Sequence, residues 1–263
     1  MALSGTTDSG CVTVRGVTIG SGRPKICVPV LGRSEADILS SARAALDYRP
    51  DVVEWRMDWF EGVEQTDAVI SILRQLRHLF DTTPLLCTFR SAREGGEQEI
   101  TPHHYVDLLC RVSASGDADL VDVELFSGPD VVDQIVATAH QKDVAVIGSS
   151  HDFSQTPPEE EIISRLEQMA TLGCDIAKIA VMPQTPGDVL TLLSATERMH
   201  TKHPEIPIIT MSMGQLGLVS RLCGEVFGSA LTFGAAGQAS APGQAPVQAL
   251  RQVLELLHCE END

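Results

Sequence analysis

The chain has 263 residues, 43% hydrophobic and 21% charged, enough to bury a full core. A formal net charge of −17 argues against nucleic acid or an anionic membrane as the partner, and an anionic substrate would need a local cluster of arginines. Seven scattered cysteines without a C-x-x-C pair point to buried free thiols, a reducing cytoplasm and no zinc site, and no apolar stretch approaches the ~18 residues of a membrane span.

Residues 1–10, MALSGTTDSG, lack a charged start and an apolar run, so they predict a loose tail rather than a signal peptide. Val12-Thr13-Val14 and Val17-Thr18-Ile19 flank Arg15-Gly16 and predict a small hairpin. Short apolar, often β-branched runs then alternate with helix-like segments. Strand Lys25–Val30 precedes helix Ser34–Tyr48, and Asp51–Arg56 precedes Thr66–Phe80. Leu85–Phe89 precedes Thr101–Ser113, and Leu120–Glu124 precedes Pro129–Gln141. Val144–Ser149 precedes Pro158–Leu172, and Asp175–Ala180 precedes Pro186–Lys202. Ile206–Met211 precedes Leu216–Cys223, and Ser229–Thr232 precedes Ala245–Leu257. Eight such units predict one α/β domain, a closed (β/α)8 barrel over residues 1–263, with the hairpin shutting its bottom. A doubly wound open sheet is the alternative, but no G-x-G-x-x-G follows an early strand.

In such a barrel the chemistry gathers at the carboxyl ends of the strands. Lys178 lies inside the apolar run Asp175–Ala180, and the chain has only three other lysines, Lys25, Lys142 and Lys202. Burial favours the neutral amine, a nucleophile towards carbonyls, although a lysine reaching to the rim is the plainer reading of that run alone. The other strand ends carry Glu54 and Arg56, Arg90, Asp122 and Glu124, His151, and Met211 and Met213. Alternation puts Glu54 and Arg56 on one face, and likewise Asp122 and Glu124. Each has a structural reading as a buried pair or a solvated loop. Their coincidence on one rim predicts an imine-forming amine, a proton-moving His151 oriented by Glu94, arginines for a carboxylate, and a Gly- and Ala-rich last loop as a lid.

From about Gly16 onward the chain resembles the type I 3-dehydroquinate dehydratases of the shikimate pathway. The matching blocks are Val53–Asp58, Thr88–Glu97, Val121–Glu124, Ser149–Phe153, Ile176–Ala180, Met211–Gly214, Ser220-Arg221 and Ala239–Gln244. The resemblance implies that Lys178 forms an imine with the C3 ketone. It implies that His151 removes a C2 proton and assists loss of the C1 hydroxyl, with Glu94 paired to it. Arg221, with Ser240 and Gln244 from the lid, would bind the substrate carboxylate. Glu54, Arg56 and Arg90 would hold ring hydroxyls, and Met211, Met213 and Phe233 would form apolar walls. No metal or other cofactor is implied, and a homodimer is. Arg93 and Gly237 depart from residues often basic in the family, a lysine in the first case. A sugar-phosphate aldolase, with Gly214, Gly217 and Gly228 as phosphate nests, and a non-catalytic ligand sensor are the competing readings.

Overall fold

The computed structural model describes residues 10–237 and 240–258. Strands β1 (Val12–Val14) and β2 (Val17–Ile19) pair antiparallel. The two turn residues, Arg15 and Gly16, have φ of 47° and 81°, the left-handed geometry that matches strand twist in a two-residue hairpin. Eight parallel strands follow: β3 (Lys25–Val30), β4 (Val52–Arg56), β5 (Leu85–Thr88), β6 (Leu120–Glu124), β7 (Ala145–Asp152), β8 (Ile176–Val181), β9 (Ile208–Ser212) and β10 (Leu231–Ala235). Each pairs with the next from β3 to β9, and β10 pairs back onto β3. A parallel bridge between Ile208 and Ser229, with the Ala230 N–H donating to Ile208 O at 2.8 Å, closes the ring. The (β/α)8 barrel therefore forms.

Helices α1 (Glu35–Leu46), α2 (Thr66–Phe80), α3 (Pro102–Ala114), α4 (Pro129–His140), α5 (Glu159–Thr171) and α6 (Pro186–Lys202) follow the first six barrel strands. Their starts are chemically specified. Ser34 with Asp37 and Thr185 with Asp188 form reciprocal capping boxes, and Pro102, Pro129 and Pro186 occupy first-turn positions. Gly173, at φ 78°, ends the turn after α5. No helix among the described residues is long and apolar enough to cross a membrane.

The core has two shells. One lies between strands and helices and includes Trp55, Leu73, Leu108 and Leu166. The other fills the lower barrel with Cys27, Val52, Leu86, Leu120, Ile147, Ile176, Ile209 and Leu231, and the hairpin adds Val14 and Ile19 to it. Burying those two hairpin side chains contributes about 1.5–3 kcal/mol each and shuts the bottom of the barrel. Arg15 Nε fastens the hairpin tip to Asp119 at 2.6 Å.

Several local differences from the sequence reading have physical causes. Strand β7 runs on through Ser150, His151 and Asp152, because β8 supplies ladder partners as far as Val181. The helix expected over Leu216–Cys223 splits into α7 (Leu218–Leu222) and α8 (Gly224–Phe227). Gly217 stays outside it, packed so tightly that a Cβ there would lie 2.4 Å from the Ser212 carbonyl. Ala245–Pro246 forms a short strand, β11, beside the end of β10, so that α9 covers Val247–Leu257. Gly10 is buried against Pro204 rather than loose; the rest of the expected tail, and Gln238 and Ala239 of the last loop, lie outside the described residues.

Candidate active site

Above the apolar lower shell, the inward side chains at the carboxyl ends are charged. They surround a cavity of about 470 Å³, counted out to its open mouth. All twelve residues singled out from the sequence line it, joined by Gly95, Phe153, Ala180 and Ala241.

Lys178 stands in the middle of β8, paired in the sheet with Ser149 and Ile209, and is 3% exposed. The bland reading of a lysine reaching out to the rim therefore fails. Its Nζ donates to Asp122 Oδ2 at 3.1 Å, lies 4.0 Å from Glu54 Oε1, and sits 4.7 Å from the centre of the Phe233 ring. Glu54 is held in turn by the Thr88 hydroxyl at 2.9 Å.

His151 closes the next layer up. Its Nδ1 lies 2.9 Å from Glu94 Oε2, which also accepts the His151 backbone N–H at 3.0 Å and Arg90 Nη1 at 3.4 Å. An oxygen already accepting two N–H groups is an acceptor towards Nδ1 too, so the imidazole proton belongs on Nδ1 and the Nε2 lone pair is left for chemistry. Glu94 Oε1 is buried without a hydrogen-bond partner. Burial pushes the Glu94 carboxyl up to about 8, against the pull of Arg90 and with repulsion from Glu124 and Asp122. A protonated Glu94 would carry its proton on Oε1 and leave Oε2 an acceptor. Burial, with Arg90, Lys178 and Arg56 adding positive charge, holds His151 well below its ordinary value of 6.5.

The sign of that shift sets a pH prediction. The neutral imidazole is the form that accepts a proton, and a lowered pKa preserves it to more acid pH. The acid limb of kcat/KM is expected below pH 6.5. A His151 ring that titrates at or above 6.5 in the NMR spectrum of the free protein would contradict this environment.

Arg90 is less a free anion receptor than a hub. Its Nη2 donates to Asp122 Oδ1 at 2.8 Å, and its Nη1 to Glu124 Oε1 at 2.9 Å and to the Ser149 hydroxyl at 3.0 Å. Burial disfavours its charge, but Asp122, Glu124 and Glu94 outweigh that and raise its pKa. Arg56 forks onto Asp58, with Nε and Nη2 each 2.8 Å from a carboxylate oxygen. Asp58 also accepts the backbone N–H groups of Arg90 and Glu97, tying the end of β4 to the loop that carries Glu94.

Arg221 is the opposite case. It is 2% exposed and has no carboxylate within 4.0 Å among the described residues. Its weak contacts are Met211 Sδ at 3.3 Å and Pro242 O at 3.4 Å, and its Nε is buried without a partner. Burial alone pushes its guanidinium down to about 10. The Ser220 hydroxyl anchors the short helix beneath it, accepting from Ser212 N at 2.9 Å and donating to Gly217 O at 2.7 Å. A buried cation without a counter-charge, facing a cavity, is a site for an anion.

Ser240, Ala241 and Gln244 of the last loop line the cavity. Gln244 Nε2 donates to Ser240 Oγ at 2.9 Å, and Gln244 Oε1 accepts Ser240 N at 3.0 Å. Gly243, at φ 77°, packs so closely on Gly214 that a Cβ would lie 2.3 Å from its carbonyl oxygen. The walls between these groups are Met211, Met213 and Phe233, all buried. No group of three or more His, Cys, Asp or Glu side chains among the described residues is arranged to hold a metal ion.

A family model described as type I 3-dehydroquinase matches residues 26–261. The chain belongs to the type I 3-dehydroquinase family. It is thus an enzyme, a carbon–oxygen lyase of the shikimate pathway. A 3-dehydroquinate dehydratase of Clostridioides difficile is 53% identical over 247 residues, covering 94% of this chain and 97% of the relative. One from Salmonella typhimurium is 51% identical over 247 residues, 94% of this chain and 98% of the relative. The crystal structure of a type I 3-dehydroquinate dehydratase from Clostridium difficile with covalently modified comenic acid matches with a TM-score of 0.92 at 52% identity, covering 94% of this chain and 98% of that one. A 3-keto-L-gulonate-6-phosphate decarboxylase from Vibrio cholerae, at 14% identity and a TM-score of 0.59 over 90% of this chain and 100% of that one, shares the barrel fold alone.

Within this dehydroquinase, sequence reasoning left four contributors without roles: Asp58, Asp122, Glu124 and Ser149. Strand alternation already placed Asp122 and Glu124 inside the barrel, so a signal existed for them. Asp58 falls in the 3-10 turn Met57–Trp59, where the period of two has ended, so its one signal was its place in the matching block Val53–Asp58. Arg93, the departure from the family pattern, donates to Phe126 O at 3.4 Å and stacks over the Phe126 ring, and it does not line the cavity.

Proposed function

We propose that this enzyme dehydrates 3-dehydroquinate to 3-dehydroshikimate through an imine on Lys178. The observation that carries the reading is the meeting of a buried amine, an imidazole with a free Nε2 and an unpaired buried arginine in one cavity. Counted from the ammonium paired with Asp122, Nζ bonds to the C3 carbonyl carbon and sheds two protons to the carbonyl oxygen, which departs as water and leaves an iminium with one N–H. The resulting iminium withdraws electrons and acidifies the C2–H bond. Nε2 of His151 takes that proton, and the electron pair moves into an enamine. As the pair returns, the C1–O bond breaks, and His151 gives its proton to the departing oxygen. Hydrolysis of the conjugated iminium frees the product, so the net change is loss of one water.

In this reading Arg221, with Ser240 and Gln244, receives the substrate carboxylate. Glu54 and Arg56 contact ring hydroxyls, and Arg90 contributes chiefly by holding Asp122, Glu124 and Glu94. Burial of Cys27, Cys87 and Cys174 as free thiols fits a reducing cytoplasm, and a homodimer belongs to the same reading. The sugar-phosphate alternative loses support because two of its glycines have packing roles, Gly217 against Ser212 and Gly228 against His200, and Gly214 serves a turn at φ 67°.

Turnover in oxygen-18 water tests the imine. Hydrolysis takes the product's ketone oxygen from solvent, so the product must carry the heavy isotope faster than unreacted ketone exchanges on its own. Product retaining its original oxygen would mean elimination through an enolate without an imine.

Arg221→Met is expected to raise KM about 30-fold to several thousand-fold, from the roughly 2–5 kcal/mol carried by a desolvated charge pair. The carboxylate sits on C1, the carbon whose C–O bond breaks, so loss of its anchor should misplace the leaving group and lower kcat as well. The empty protein should be as stable as the parent or more so, since an unpaired buried cation is gone. Steady-state kinetics and urea unfolding check both halves.

A further inference from the structure

Asp122 has no place in the proton transfers above, yet it is fully buried and touches the reacting nitrogen. Its two oxygens are differently employed. Oδ1 accepts Arg90 Nη2 at 2.8 Å and the Ser149 hydroxyl at 2.6 Å, and Oδ2 accepts Lys178 Nζ at 3.1 Å. The first pair of contacts fixes the carboxylate plane, so that Oδ2 is aimed at Nζ. Arg90 and Lys178 together outweigh burial and keep Asp122 ionised, its pKa lowered.

An ammonium has three N–H bonds, but an iminium has one. Whichever acceptor holds that last N–H decides where the positive charge is balanced. The groups facing Nζ come from several strands. Cys27 on β3 is a thiol that burial keeps protonated. On β4, Arg56 is already forked onto Asp58 and Glu54 Oε1 stands off at 4.0 Å. Arg90 after β5 and His151 on β7 are a cation and a neutral donor–acceptor. The β10 contribution is the Phe233 ring face. Asp122 Oδ2 is the acceptor within hydrogen-bond reach.

We infer that Asp122 is the counter-ion of the protonated imine. The inference rests on the imine at Lys178. No proton is transferred to Asp122: the carboxylate stays ionised while charge appears on Nζ in the first iminium, vanishes in the enamine and returns in the product iminium. Its role is to keep the imine protonated, and therefore electron-withdrawing, at neutral and alkaline pH.

The test is trapping with cyanoborohydride, which reduces the protonated imine, as a function of pH and with the adduct mapped to its lysine. Asp122→Asn keeps the shape and an oxygen for Arg90 and Ser149 but removes the charge. The alkaline fall in adduct yield on Lys178 is expected to move down by about 1–3 pH units, the usual effect of an opposite charge at this range. Glu124→Gln also removes a carboxylate charge from Arg90 but does not touch Nζ, and its fall should move much less than that of Asp122→Asn. If Asp122→Asn traps with the parent's profile, or Glu124→Gln shifts as far as it does, the counter-ion assignment is overturned while the imine stands. If the parent protein gives no Lys178 adduct, the imine itself is wrong. Should Asp122→Asn not fold, nitrogen-15 labelling of the four lysines in the parent carries the same test. With product bound, the imine nitrogen must show one bonded proton at and above neutral pH, and an unprotonated imine at neutral pH overturns the assignment.

Discussion

Lys178→Met is expected to lower turnover on the order of 10⁴-fold or more while leaving a folded barrel. In the proposed mechanism the amine is both the attacking atom and the seat of the electron-withdrawing charge, so no neighbour replaces it. Lys25, Lys142 and Lys202 are the other lysines in the chain, and none lines the cavity. Methionine fills a similar volume, which limits the cost of a void. Removing one member of a buried ion pair ordinarily destabilises by about 3–5 kcal/mol, but Asp122 keeps Arg90 and Ser149, so the loss here should be smaller. Product formation followed by its conjugated-enone absorbance, with circular dichroism for the fold, checks both statements. Activity within tenfold of the parent would remove Lys178 from the reaction.

His151→Ala is expected to lose turnover on the order of 10⁴-fold, because one imidazole serves first as base and then as acid. The change should leave imine formation intact, which separates it from Lys178→Met. The geometry supports a clean variant. Glu94 Oε2 keeps the backbone N–H of residue 151 at 3.0 Å and Arg90 at 3.4 Å, so the loop carrying it loses one hydrogen bond of three. Single-turnover experiments with hydride trapping read this directly: adduct on Lys178 at near-parent yield, with product release abolished. Parent-like turnover would take His151 out of the mechanism.

Much of this molecule was legible in its sequence, for reasons specific to buried parallel strands. Lys25–Val30 and Leu120–Glu124 read correctly to the residue because both faces of such strands are covered and the apolar run has sharp ends. Helices Thr66–Phe80 and Pro186–Lys202 read correctly because apolar spacing and, for the second, a capping box agree. The failures cluster at the catalytic rim. Ser150-His151-Asp152 looks like a loop by composition, yet the ladder to β8 holds it as strand. Phe233-Gly234-Ala235 has the same loop-like composition, beyond the expected strand Ser229–Thr232, and is strand in β10. Polar and glycine residues are placed there by chemistry, so local propensity points the wrong way where the ladder decides.

The site divides similarly. Charges set into apolar runs, Lys178 above all, stand out in one dimension. Their partners do not, because Asp122, Arg90, Glu94 and His151 meet only when the barrel closes. Lys178 looked like a lone cation among apolar residues, and in the fold it is one end of a continuous hydrogen-bonded chain. That chain runs from Nζ to Asp122, through Arg90 and Glu94, to His151 Nδ1. The nucleophile and the base of the proposed mechanism are thereby fixed by one shared network, with Arg90 at its centre.

The central claim is that Lys178 forms the covalent link to substrate. Incubation with 3-dehydroquinate, reduction with borohydride and peptide mapping by mass spectrometry test it most directly. A single reduced adduct on Lys178 is expected. An adduct on Lys25, Lys142 or Lys202, or none at all, would contradict it.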